Sequence, residues 1–236
     1  MKLFQLIKEK RRKVDNEKNK IYLSIKRILD IIFSLLGLII LSPILLITAV
    51  AIKLESTGPI IFKQKRIGKD GKVFNIYKFR SMIVGAEKIG TGVYSKKDDN
   101  RVTKVGRLIR MTSIDELPQL INILKGEMSI IGPRPVLTYH PWKYEEYTEE
   151  QLKRFKVKPG ITGWAQIHGR KDVEWKERIK LDTYYVENIN FWLDIKIFFK
   201  TILQVLSMKD NVNKNETAKT KEIIGDENDK INVYNK

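Results

Sequence analysis

The sequence predicts a membrane-associated α/β fold, mostly helical, that meets the membrane through an N-terminal helix–break–helix. Three observations predict it. Residues 28–52 (ILDIIFSLLGLIILSPILLITAVAI) form the only strongly apolar run, and Ser42-Pro43 falls inside it. An Asp70-Gly71 turn is followed by an alternating stretch, VFNIYKFRSM, that reads as a strand. Apolar residues then recur at helical spacing at Leu117, Leu120, Ile121 and Leu124, and again over Phe191–Leu206.

The apolar run is long enough to span a bilayer. Two features oppose a simple span. Pro43 lacks the N–H that would continue the helix and should kink or break it. Both flanks are basic, Lys8 to Arg27 before and Lys53, Lys63, Lys65 and Arg66 after, so a single span would export one of them against the positive-inside rule. A re-entrant hairpin entering and leaving by one face satisfies both flanks. Residues 31–42 reach only about 18 Å as a helix, short of a hydrocarbon core of roughly 30 Å. The Ser42 hydroxyl can serve a carbonyl freed at the break. A kinked span and a signal peptide are the alternatives, the latter opposed by a run that starts too late and is too long.

The chain of 236 residues carries a net charge of +17 and no cysteine, which calls for an anionic partner and excludes disulfides and thiolate chemistry. In the last stretch, residues 209–236, six lysines balance six acids, so the excess belongs to the body. Zinc-finger spacing, an RNP-like motif and a clear helix-turn-helix are lacking, so a membrane surface or a phosphorylated small molecule fits better than nucleic acid. His140 and His168 are too far apart for metal-ligand spacing and read as structural.

Taken in order, residues 1–20 are a basic arm. In the strand after Asp70-Gly71, Lys78 and Arg80 fall on one face and could bridge a diphosphate, the alternative being a solvated edge. Residues 86–100 read as a loop, where Asp98-Asp99 is a weak metal-chelating pair. Residues 142–155 and 171–188 read as helices. Between them, residues 158–170 (KPGITGWAQIHGR) fit neither helix nor regular strand; Gly160, Gly163 and Gly169 permit tight turns, and Trp164 and Gln166 could meet a ring or base. Phe191–Leu206 is either an interfacial helix with Phe191 and Trp192 at headgroup level or a core helix. The polar tail to residue 236 reads as disordered.

Residues 112–135 (TSIDELPQLINILKGEMSIIGPRP) organise the chain. Ser113 and Glu116 have capping-box spacing, placing Asp115 and Glu116 in the first turn of a helix, with Gly126 a C-cap. First-turn acids alone are ordinary. Here Lys104, Arg107 and Arg110 precede them, and Arg134 follows between two prolines. Carboxylates ringed by cations suit phosphate chemistry: acids attack or hold a metal, and arginines offset phosphate charge.

Ser42-Pro43, Tyr77-Lys-Phe-Arg-Ser-Met82, Ser113-Ile-Asp-Glu-Leu-Pro-Gln-Leu120, Ile131-Gly-Pro-Arg-Pro135, Lys158-Pro-Gly-Ile-Thr-Gly-Trp-Ala-Gln166 and Gly169-Arg170 resemble, in order over residues 21–206, the bacterial sugar transferase family of monotopic polyprenyl-phosphate phosphoglycosyltransferases. The resemblance implies transfer of sugar-1-phosphate from a UDP-sugar to undecaprenyl phosphate, with release of UMP. It implies Asp115 as nucleophile and Mg2+ ligand, Glu116 as its partner, and Lys78, Arg80, Arg110 and Arg134 as phosphate contacts. Ser42 and Pro43 would be the membrane helix break. The implied layout is an arm (1–20), a re-entrant hairpin (21–55), a catalytic domain on the cytoplasmic face of the bacterial inner membrane (56–190), an interfacial helix (191–207) and a tail (208–236). Expected partners are the UDP-sugar, undecaprenyl phosphate and an anionic bilayer, with no nucleic acid; a homodimer is compatible with it. The competing readings are a glycosyltransferase that releases UDP and a non-catalytic membrane adaptor.

Overall fold

The computed structural model describes residues 2–89, 99–169 and 174–207, with side chains from Lys20 onward. Helix α1 (Lys2–Ile40) runs without interruption, so no structural break marks the expected boundary after residue 20. It meets α2 (Ser42–Glu55) at a bend of 62°. The cause is local. Pro43 cannot donate to the Ile39 carbonyl, and the Ser42 hydroxyl donates to it instead at 2.7 Å. Among the described residues no single helix is long and apolar enough to cross a membrane, but the two halves of this bent pair together are.

The pair is patterned inside out. Ile40, Leu46, Ile47 and Leu54 are exposed, whereas Asp30, Ser34 and Thr48 are buried against the rest of the protein. Asp30 accepts a hydrogen bond from the Ile130 N–H at 3.0 Å. Arg27 donates to the Ile123 and Leu124 carbonyls at 2.6 and 3.1 Å, capping a helix of the body.

The body contains two small sheets. Strand β1 (Ile61–Ile67) lies between β2 (Val73–Phe79) and β4 (Val136–Leu137), antiparallel to both. The turn joining β1 and β2 needs left-handed backbone at Asp70 and Gly71 (φ 53° and 77°), as the Asp-Gly pair predicts. Strands β3 (Ser129–Ile131) and β5 (Gly160–Thr162) pair in parallel. A Cβ on Gly160 or Gly163 would strike the Gly132 backbone. Neither has positive φ, so these two glycines permit close approach rather than the tight turns expected.

Helices α3 (Lys104–Met111) and α4 (Gln119–Leu124) bracket the acidic pair. Single-turn α5 (Glu149–Leu152) and α6 (Trp164–Ile167), then α7 (Trp175–Glu187) and α8 (Phe191–Leu206), complete the chain. The helix expected over residues 142–155 is broken into short turns, and residues 158–170 contain a strand and a helical turn that their glycines concealed. On α8, Trp192, Leu203 and Leu206 are exposed while Asp194 and Ile197 are buried, which excludes a core helix. Asp194 fixes that orientation: it accepts from Tyr22 and Lys26 of α1 at 2.6 Å each and from Tyr185 of α7 at 2.8 Å.

Candidate active site

The segment between α3 and α4 departs from its expected form. Ser113 adopts left-handed backbone (φ 59°) and caps nothing with its side chain; residues 114–116 form one 3-10 turn, and α4 starts only after Pro118. Proline cannot supply the N–H a continuous helix would need there. Glu116 does not turn back to Ser113 to close a capping box. Its Oε1 accepts from Lys78 Nζ at 2.7 Å and from an Arg134 terminal nitrogen at 2.9 Å. The buried face of α4 also differs, with Gln119, Leu120, Asn122 and Ile123 inside and Ile121 exposed. Asn122 donates to the Asn75 carbonyl and accepts from the Tyr77 N–H, at 2.7 and 2.9 Å, so it binds the β2 edge as a neighbouring strand would. Gly126, at φ 83°, follows α4 as predicted.

Lys78, at the end of β2, and Arg134, on the strap after β3, thus converge on Glu116. Burial would raise the Glu116 carboxyl, but the charges and hydrogen bonds of Arg134 and Lys78 outweigh it and hold the group well below the usual carboxylate range. Burial and then Arg134 pull the Lys78 ammonium down, against the opposing pull of Glu116 and Asp115. Asp115 is treated differently. No hydrogen bond to its carboxylate forms among the described residues; burial pushes it up to about 6, helped by Glu116 and opposed by Lys78, Arg110 and Arg134. Arg110, in the last turn of α3, contributes field rather than contact.

Arg80 stands apart from this cluster. Its N–H still donates to the Ile60 carbonyl at 2.9 Å, one step past β2, but its side chain is directed to α2. The Arg80 guanidinium donates to the Thr57 carbonyl at 2.6 Å and the Ser56 carbonyl at 2.8 Å, closing the end of α2. Its contacts are structural. Asp98 and Arg170 lie outside the described residues, and Asp99 is held by Arg101 at 2.7 Å. Trp164 stacks on Tyr184 and takes Lys196 over its ring.

Sequence reasoning missed Arg66, which it counted only as flanking charge. Arg66 donates to the Pro135 carbonyl at 3.1 Å and to Gln64 at 2.6 Å. Burial and the nearby Arg134 lower its guanidinium to about 10, still charged at neutral pH. No local pattern marks it, because its Pro135 partner lies 69 residues away in sequence.

Among the described residues no cluster of three or more acids or histidines could hold a metal. Magnesium needs fewer protein ligands than that: one or two carboxylates, completed by substrate phosphates and water. Asp115, without a hydrogen-bonding cation, fits that role; Glu116 is already engaged by two.

A family model described as Bacterial sugar transferase matches residues 21–208. The chain belongs to the bacterial sugar transferase family. Across 183 residues it is 46% identical to a sugar transferase of Bacillus subtilis, EpsL, covering 77% of this chain and 87% of that protein. It is 46% identical over 195 residues to a Klebsiella pneumoniae UDP-glucose:undecaprenyl-phosphate glucose-1-phosphate transferase, covering 80% of this chain but 42% of the relative. An Aeromonas hydrophila UDP-N-acetylgalactosamine-undecaprenyl-phosphate N-acetylgalactosaminephosphotransferase is 46% identical over 190 residues, 79% of this chain and 45% of its own length. The chain thus spans most of the Bacillus protein and less than half of the other two sugar transferases.

Proposed function

We propose that this sugar transferase moves sugar-1-phosphate from a UDP-sugar to undecaprenyl phosphate and releases UMP. The division of labour between neighbouring carboxylates carries the reading: Glu116 is neutralised by Lys78 and Arg134, and Asp115 has no such partner. An Asp115 oxygen attacks the sugar-bearing phosphorus, and the bond from that phosphorus to the UMP oxygen breaks. An oxygen of the lipid phosphate then attacks the same phosphorus and displaces Asp115. The product is a polyprenyl diphosphate sugar. Two displacements through a carboxylate mean that donor and lipid need not be bound together.

Lys78, Arg110 and Arg134 supply positive field where phosphate charge gathers. Mg2+ bound at Asp115 and the substrate phosphates would offset charge on the diphosphate and the departing nucleotide. The bent α1–α2 pair, apolar outward and polar inward, supports a re-entrant element, with α8 lying on the same membrane face. On that reading the site works at headgroup level on the cytoplasmic side of the inner membrane, at the first membrane step of exopolysaccharide, capsule or glycoconjugate assembly.

The test is nucleotide release by purified protein with undecaprenyl phosphate, Mg2+ and a panel of UDP-sugars. UMP from one or two donors, abolished by Asp115→Asn, is the expected outcome. UDP release would replace the proposal with transfer of the sugar alone.

A further inference from the structure

The strap that presents Arg134 runs from Gly132 to Pro135. Pro133 and Pro135 have no N–H, so the strap is hydrogen-bonded mainly through its carbonyls. Three successive carbonyls each have a donor. Gly160 N–H donates to the Pro133 carbonyl at 2.9 Å, Arg154 to the Arg134 carbonyl at 3.1 Å, and Arg66 to the Pro135 carbonyl at 3.1 Å. Pro133 and Pro135 are themselves buried, so both packing and these hydrogen bonds hold the segment.

The middle donor is itself clamped. The same Arg154 nitrogen donates to Asp182 of α7 at 2.6 Å, and both side chains are 1% exposed. Burying an ion pair strips water from both charges, and a well-packed apolar pair is often as stable or more so. An apolar pair could not donate to the Arg134 carbonyl. We propose that Arg154, locked by Asp182, is a positioning residue that fixes the Arg134 backbone so that its guanidinium meets Glu116 and, on the function proposed above, the substrate phosphates. The path runs from Asp182 through Arg154 and Arg134 to Glu116, from the interior to the site.

The experiment compares wild type with the double variant Arg154→Met, Asp182→Val, by thermal unfolding and by single-turnover UMP release with enzyme in excess over donor. At saturating enzyme the single-turnover rate constant does not scale with the folded fraction, so loss of folded protein alone leaves it unchanged. The expected result is a Tm near wild type and a rate constant at least about tenfold lower, the cost of a misplaced charge-stabilising group. A folded variant with the wild-type rate constant overturns the proposal. Should the double variant not fold, Arg154→Lys decides: it keeps a positive charge for Asp182, but its shorter side chain stops short of the position from which one Arg154 nitrogen reaches both acceptors. It should be equally slow, and wild-type speed overturns the idea. Wild type that releases UDP sinks the proposed function, whereas wild type that releases UMP alongside unimpaired variants sinks only the positioning role. If wild type is inactive, hydrogen exchange over residues 129–137 carries the test: faster exchange there in the variant supports the clamp, and unchanged exchange overturns it.

Discussion

Glu116 accepts hydrogen bonds from two cations, Lys78 at 2.7 Å and Arg134 at 2.9 Å, and its neighbour Asp115 is bonded to neither. Adjacent carboxylates in one turn thereby acquire opposite properties. One is a fixed counter-ion; the other is a base whose charge the site tolerates poorly.

That contrast sets a stability prediction for Asp115→Asn. The folded carboxyl titrates near 6, above its ordinary 3.8. The folded state therefore holds the proton more tightly than the unfolded chain, and stability is lost as pH rises from about 4 to about 6. Without metal, the variant should be more stable than wild type at pH 7.5, by at most ~3 kcal/mol. The gain should shrink as pH falls through 6 towards 4. Thermal unfolding across that range checks it, and a variant less stable at pH 7.5 would contradict it.

Glu116→Gln should behave in the opposite sense. The folded carboxyl lies below its ordinary 4.5, so its stabilisation is complete above that pH and is lost as pH falls below it. The amide leaves Lys78 and Arg134 facing each other without a counter-charge. At pH 7.5 the variant should lose about 3 kcal/mol, the usual cost of breaking a buried pair, and at least a hundredfold in kcat. Denaturant unfolding and nucleotide release measure the two effects.

Gly160→Ala tests the close approach beneath the strap. A Cβ there would collide with the Gly132 nitrogen, and the backbone cannot yield as a flexible side chain can. The variant should lose about 2 kcal/mol or more. Gly85→Ala is the control for crowding: its Cβ would meet nothing within 4 Å, although its φ of 80° carries a small strain of its own.

These glycines mark what the sequence concealed. Gly160 and Gly163 read as turn formers because composition alone does not distinguish positive φ from backbone crowding. The converse holds at Ser113: its spacing to Glu116 spells a capping box, yet tertiary cations compete for the same carboxylate and win. Arg80 likewise directs its guanidinium to the Ser56 and Thr57 carbonyls at the end of α2, contacts that strand alternation does not announce. Elements written in local patterns were legible, among them the Ser42-Pro43 break, the Asp70-Gly71 turn and the extent of α8; Lys78, 38 residues from Glu116, was linked to the acids only through the family resemblance. Arg66, Arg154 and Asp182 act through contacts distant in sequence, which no local pattern encodes.

Pro43→Ala restores the N–H that the Ile39 carbonyl lacks and removes the cause of the bend. Part of the population should then straighten into a span and expose one flank outside. Accessibility labelling with both flanks still protected would count against Pro43 as the determinant.

The central claim is that Asp115 becomes covalently linked to the phosphosugar. Intact-mass measurement after incubation with an accepted UDP-sugar and Mg2+, with no lipid acceptor, tests it most directly. The account predicts a mass increase of one sugar phosphate on Asp115, one equivalent of UMP released, and neither in Asp115→Asn. UMP release without an adduct, or an adduct that persists in Asp115→Asn, would contradict it.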